Sequence, residues 1–195
     1  MNLETLTEFL PALALAVALA ASAGLRAWLP LLLAGGLARL GVLDLGPSFQ
    51  FLASNKALFV FALATVVEIV GDKIPVVDHA LDLIGTPLRP AAGALLAASV
   101  LGTVADPLTA IVLGTTVGAP SALVPHAAKS VLRAASTAAT GGLANPLLSL
   151  LEDAISIVTF VAAVLVPVLV VCALGLTLFL ASRWLRRRRA SVSPA

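Results

Sequence analysis

Residues 9–41 read FLPALALAVALAASAGLRAWLPLLLAGGLARLG, an apolar run interrupted near its middle by Arg26 and Pro30. As one straight helix this run would be about 50 Å long, against a hydrocarbon core of ~30 Å. It must therefore break or fold back on itself. Small residues, a glycine, an arginine and a proline follow one another from Ala21 to Pro30, which is where a helix is most easily interrupted. Two shorter helices, about 9–24 and 27–40, are expected, with Gly24 and Pro30 marking the break.

The rest of the chain extends this reading. Of 195 residues, 60% are apolar and 11% charged, whereas soluble domains carry ~25% charged residues. So few charges cannot cover a globule with this much Leu, Ala and Val, so a soluble monomer is excluded and lipid is the expected solvent. Further apolar stretches lie at about 56–71, 91–105 and 108–124, and 146–185 is long enough for two crossings joined near Pro167. The expected fold is an all-α integral membrane protein of about six transmembrane helices. Between the second and third spans, Asp72 to Gly85 alternates polar and apolar residues at helical spacing and is expected at the membrane interface, ended by Pro87 and Pro90. Gly114, Gly118, Pro120 and Pro125 interrupt the fourth stretch and predict a second broken helix. A new helix starting at His126 and carrying Lys129 and Arg133 would follow it.

These pieces repeat in order. Leu63-Ala64-Thr65-Val66-Val67-Glu68 follows the first broken element, and Leu147-Leu148-Ser149-Leu150-Leu151-Glu152 follows the second. Residues 9–105 and 107–185 are accordingly expected as two repeats of three crossings within one membrane domain spanning 1–195. An odd number of crossings per repeat makes them inverted, as in many small transporters. Arg183 and Arg186 to Arg189 form a basic tail, 186–195 at its core, which the positive-inside rule puts in the cytoplasm against anionic headgroups. Counting back six spans puts the N terminus on the same side, in an inner (cytoplasmic) membrane. Glu4 and Glu8, with no basic residue before the first apolar run, read as a retained membrane segment rather than a signal peptide.

Mid-membrane charge costs ~2.5–3.5 kcal/mol per residue on insertion scales, so each such residue needs a partner or a wet cavity. The residues concerned are Arg26, Glu68, Asp72, Lys129, Glu152 and Asp153. One reading has them converge on a polar pathway lined by the helix breaks at Gly24, Pro30, Gly118, Pro120 and Pro125. The other has Arg26 pair with Glu68 or Glu152 to fix helix packing, with the remaining charges in headgroups. Asp78, His79 and Asp82 form an incomplete metal site, better explained by capping or solvation, and His126 is explained as a helix start after Pro125. Cys172, the single cysteine, excludes an internal disulfide or cysteine zinc site. No glycine-rich phosphate loop, HExxH or Gly-x-Ser-x-Gly occurs, so no enzyme, cofactor, metal or nucleic-acid partner is expected.

Gly24-Leu25-Arg26-Ala27-Trp28-Leu29-Pro30, the Glu68-x-x-x-Asp72-Lys73-Ile74-Pro75-x-x-Asp78 segment, Arg89-Pro90-Ala91-Ala92-Gly93-Ala94, His126-Ala127-Ala128-Lys129 and Asn145-Pro146-x-x-Ser149-Leu150-Leu151-Glu152-Asp153 resemble the bacterial membrane-protein family catalogued as domain of unknown function 4126. The resemblance covers about residues 20–165, with Asp-Lys-Ile-Pro and Ser-Leu-Leu-Glu-Asp its most specific parts. It implies a polytopic inner-membrane protein and no particular activity. The expected function is a small transporter or channel for a small solute or ion, acting as a homo-oligomer packed through small-residue faces at 91–105. The rivals are a scramblase-like lipid-handling protein and a non-transporting membrane scaffold.

Overall fold

The computed structural model describes residues 3–166, with the side chains of residues 3–5, 75, 76, 78–80 and 82 excepted. Among the described residues the chain is helical, without strands. The Pro167 turn, the expected span at 168–185, Cys172 and the Arg183–Arg189 tail lie outside them.

The long first run does break. Helix α1 spans Leu3–Leu25 and α2 spans Trp28–Arg39, with Arg26 and Ala27 between them. Pro30 is the third residue of α2, in the first turn, where a missing N–H costs no helical bond. Gly24 lies in the last turn of α1, one step before the break, and its role is contact: a Cβ there would come well within van der Waals distance of the Ala122 carbonyl oxygen. A 3-10 turn at Pro47–Ala53 buries Phe49 and Leu52 and leads into α3, Asn55–Gly71, at a bend of 57°. Ser54 caps α3, its hydroxyl accepting from Ala57 N–H at 3.2 Å. Ser54→Ala is expected to lower stability by about 1 kcal/mol in a thermal melt of the purified protein.

Two expected boundaries are corrected. Pro87 and Pro90 do not end a helix: α4 runs unbroken from Pro75 to Leu101. The two rings remove only two N–H donors, and α4 packs along α1 and against the segment that follows it, which holds the helix through the gap. The second broken helix is likewise absent. Helix α5, Pro107–Leu113, passes through a π turn at Gly114–Gly118 into α6, Ala119–Thr140, and the three together form one apolar rod. Gly118 therefore sits in a wide turn, and Pro120 and Pro125 are carried within a continuous helix that they do not interrupt. Pro120 stands at the second residue of α6, directly after the wide turn, and a π turn is a common way to absorb such a local mismatch. Asp106 caps this rod by accepting from Leu108 and Thr109 N–H. The Thr109 hydrogen bonds hold its carboxyl below the ordinary aspartate value, so the cap is fully formed above that range and is lost as pH falls through the lowered value. The last described helix, α7, is Asn145–Val166.

Among the described residues, α1, the 83–101 part of α4, the 107–140 rod and α7 are long and apolar enough to cross a membrane. The 3-10 turn and α3 make a fifth crossing if counted as one bent span. Their packing depends on small residues. A Cβ on Gly93 would meet the Ala122 Cβ at 2.6 Å and the Gly118 carbonyl at 2.8 Å, and one on Gly114 would meet the Ala94 carbonyl and Ala98 at 2.6 Å. Backbones approach this closely where small side chains replace the apolar driving force that lipid does not supply. Ser156 on α7 closes the bundle by donating to the Ser22 carbonyl of α1 at 3.1 Å, beside the buried Phe160.

Candidate functional site

Burial in this bundle is inverted relative to a water-soluble protein: the Arg26 residue is 0% exposed, while Leu63 on the outer face of α3 is 57% exposed. Three helices build this interior with the same spacing. Thr65, Glu68 and Asp72 lie at i, i+3 and i+7 along and just past α3. His126, Lys129 and Arg133 do so on α6, and Ser149, Glu152 and Ser156 on α7. All nine are buried. At 3.6 residues per turn each triad forms one stripe, and the three stripes face one another.

Asp72 is the hub. Its Oδ2 takes an ion pair from Arg26 Nη1, from Arg133 Nη2 at 3.1 Å and from Lys129 Nζ at 3.5 Å. Glu152 receives a two-pronged contact from Arg133, with Nε to Oε1 at 2.9 Å and Nη2 to Oε2 at 2.7 Å, and Lys129 Nζ lies 3.0 Å from the same Oε2. Two parallel N–H bonds to a carboxylate fix direction as well as charge. Arg26 also donates to Ser149, to its hydroxyl at 2.8 Å and its carbonyl at 3.2 Å. Its Nε lies 2.6 Å from Asp153 Oδ1, an ion contact too bent to be a hydrogen bond.

Glu68 does a different task. Its carboxylate accepts from the N–H groups of Ala27 and Trp28, at 3.2 and 3.3 Å. These are orphan donors at the start of α2, so the break left by the first long run is satisfied by a residue forty positions away. Arg89 Nη2 stands 3.8 Å from Glu68, and Arg89 Nη1 lies 2.9 Å from His126 Nδ1. Since a guanidinium can only donate, the His126 nitrogen accepts and the ring is neutral at that atom. Next to Glu68 a cleft of about 290 Å³ opens between Trp28, α3 and α4, with Leu63, Val67, Leu81 and Ile84 in its walls. The outer side of those walls is the exposed apolar face of the bundle.

All six charged positions singled out from the sequence, Arg26, Glu68, Asp72, Lys129, Glu152 and Asp153, fall in this one cluster. Arg89, Arg133 and His126 also belong to it. Arg89 was hidden by the expectation that Pro87 and Pro90 end a helix; with α4 continuous, it is 1% exposed and central. Arg133 meets Asp72 and Glu152, and its sequence signal is the i, i+3, i+7 stripe with His126 and Lys129. His126 is not a helix start but an interior residue of α6 that accepts from Arg89. Of the predicted helix breaks, Gly118 and Gly24 lie at helix contacts and none of the five appears in the wall of the cleft. The side chains of Asp78, His79 and Asp82 lie outside the described residues.

Several apolar helices closing around a buried ionic centre define a multi-pass membrane protein. The sequence profile described as Domain of unknown function (DUF4126) matches residues 13–187, and the chain belongs to that family. No curated protein and no solved structure matches it.

Proposed function

We propose that the protein is a small membrane transporter or channel that moves a small solute or ion past the ionic centre formed by Arg26, Glu68, Asp72, Lys129, Glu152 and Asp153, together with Arg89 and Arg133. The observation that supports this is the convergence of eight ionisable side chains in a bundle whose outer surface is apolar. A buried ion pair adds little to stability compared with apolar packing of the same volume, so helix association alone calls for no such centre. Intramembrane carboxylates and guanidinium groups are the usual material of ion and proton paths.

On this reading residues 9–105 and 107–185 are inverted repeats. Thr65-x-x-Glu68 and Ser149-x-x-Glu152 would be equivalent positions, and all four side chains are buried. The Arg183–Arg189 tail and the N terminus would face the cytoplasm from an inner membrane, and the active form would be a homo-oligomer. The lateral cleft beside Glu68 favours a second reading, a lipid-handling protein in which a headgroup reaches the centre from the side.

Proteoliposomes separate the two. Proton flux into vesicles loaded with a pH-sensitive dye is expected to fall about tenfold or more for both Glu68→Gln and Glu152→Gln, the equivalent of one charge-assisted hydrogen bond. Unchanged flux in both variants would remove Glu68 and Glu152 from any pathway. Translocation of a fluorescent lipid by the wild type, with no proton flux, would favour the lipid-handling reading.

A further inference from the structure

Three cations share a single oxygen of Asp72. Arg26 arrives from the α1–α2 break, and Lys129 and Arg133 arrive from α6, all on Oδ2. The other oxygen, Oδ1, is buried and has no hydrogen-bond partner among the described residues. A carboxylate used on one side only is unusual inside a bundle, where a bare acceptor costs its full desolvation. The asymmetry leaves one atom of Asp72 open to a proton, while the cations on the other atom already form a cradle for one negative charge.

The geometry points to a site for a small monovalent anion of carboxylate size, in which the anion takes the place of the Asp72 charge while Asp72 takes up one proton. This deepens the transport reading and rests on it, naming the class of solute. The exchange balances. A proton bonds to Oδ1, Asp72 goes from −1 to neutral, and the N–H donors of Arg26, Lys129 and Arg133 transfer from Oδ2 to the incoming anion. The total charge of the cluster is the same before and after, which matters because an unbalanced charge in this setting is costly. A cation at the same point would meet the N–H donors of Arg26, Lys129 and Arg133, which offer it no acceptor.

The other described charged groups around Asp72 fit this assignment. Glu152 on α7 keeps Arg133 and Lys129 oriented when Asp72 is neutral, through contacts at 2.7 and 3.0 Å. Asp153 does the same for Arg26 at 2.6 Å. Glu68, one turn before Asp72, is occupied with the start of α2 and with Arg89 on α4. The cradle is therefore held from outside by carboxylates that do not leave.

Formate is the probe, with purified protein in weakly buffered detergent and a pH indicator. The wild type is expected to take up about one proton per formate bound, with affinity rising about tenfold for each unit that pH falls, the slope of a single linked proton. Asp72→Asn, whose side chain is already neutral, is expected to bind formate without proton uptake and with no such slope, and formate is expected to raise its melting temperature. If Asp72→Asn does not fold, Asp72→Glu carries the test, because it keeps the titrating group and must keep the stoichiometry. Formate binding by the wild type with no proton uptake overturns the exchange, and so does a failure of formate to bind or stabilise any of the three proteins. Proton-linked binding without flux across proteoliposomes would sink the transport reading and leave the site standing. Flux of another solute without proton-linked formate binding would do the reverse.

Discussion

Asp72→Ala is expected to cost about 3–5 kcal/mol of stability in anion-free buffer, the range for removing one partner from a buried ionic group. Arg26, Lys129 and Arg133 would lose the oxygen they share, while among the described contacts Asp153 still meets Arg26 and Glu152 still meets Lys129 and Arg133. The effect should appear as a large drop in the thermal midpoint followed by circular dichroism in lipid nanodiscs. Arg26→Leu made together with Asp72→Ala should recover part of the loss, because removing one positive and one negative charge together leaves the charge balance of the cluster unchanged. A single variant that melts like the wild type would mean that Asp72 is solvated and is not the hub of the cluster.

Gly24→Ala carries the second large effect. The added methyl would collide with the Ala122 carbonyl oxygen and carbon, and backbone cannot rotate out of the way as a flexible side chain can. Helices α1 and α6 would have to separate, and Arg26, two residues on, would shift relative to Lys129 and Arg133 on the same partner helix. Overpacking of this kind costs about 1–3 kcal/mol and occasionally more, and the loss of ion-pair register places Gly24→Ala at the upper end. Gly36→Ala is the control. Nothing lies within 4 Å of a Cβ there, so removing a glycine from the interior of α2 should stabilise it by up to about 1 kcal/mol. Equal melting of Gly24→Ala and the wild type would show that the two helices do not touch at this point.

The two prolines of α4 show how local reading goes astray in lipid. In water a proline pair ends a helix because solvent competes for the freed carbonyls. In a bundle the alternative is an unsatisfied group in hydrocarbon, so the helix persists and neighbouring contacts carry the defect. That single difference decides Arg89, which would be a solvated interfacial charge if the helix ended at Pro87 and is a buried one because α4 continues. The glycine and proline cluster of 114–125 misled for a similar reason. Its glycines serve close approach to Gly93, Ala94 and Ala98, a π turn precedes Pro120, and Pro125 stands inside continuous helix.

The sequence by itself determined the solvent, the break at Arg26 and the six charged positions that lipid disfavours, because hydropathy and the cost of a buried charge are properties of single residues and short windows. The i, i+3, i+7 spacing on α6 and α7 is present in the sequence, but its meaning as an inward face follows only from the packing. Only the tertiary structure decided the pairing: that Asp72 and not Glu68 holds Arg26, that Glu68 instead caps α2, and that Arg89 and Arg133 complete the centre. Which charge meets which depends on how α1, α3, α4, α6 and α7 rotate and slide against one another. That is set by contacts between backbones far apart in the chain, at Gly24 with Ala122 and Gly93 with Gly118, and no local pattern encodes them.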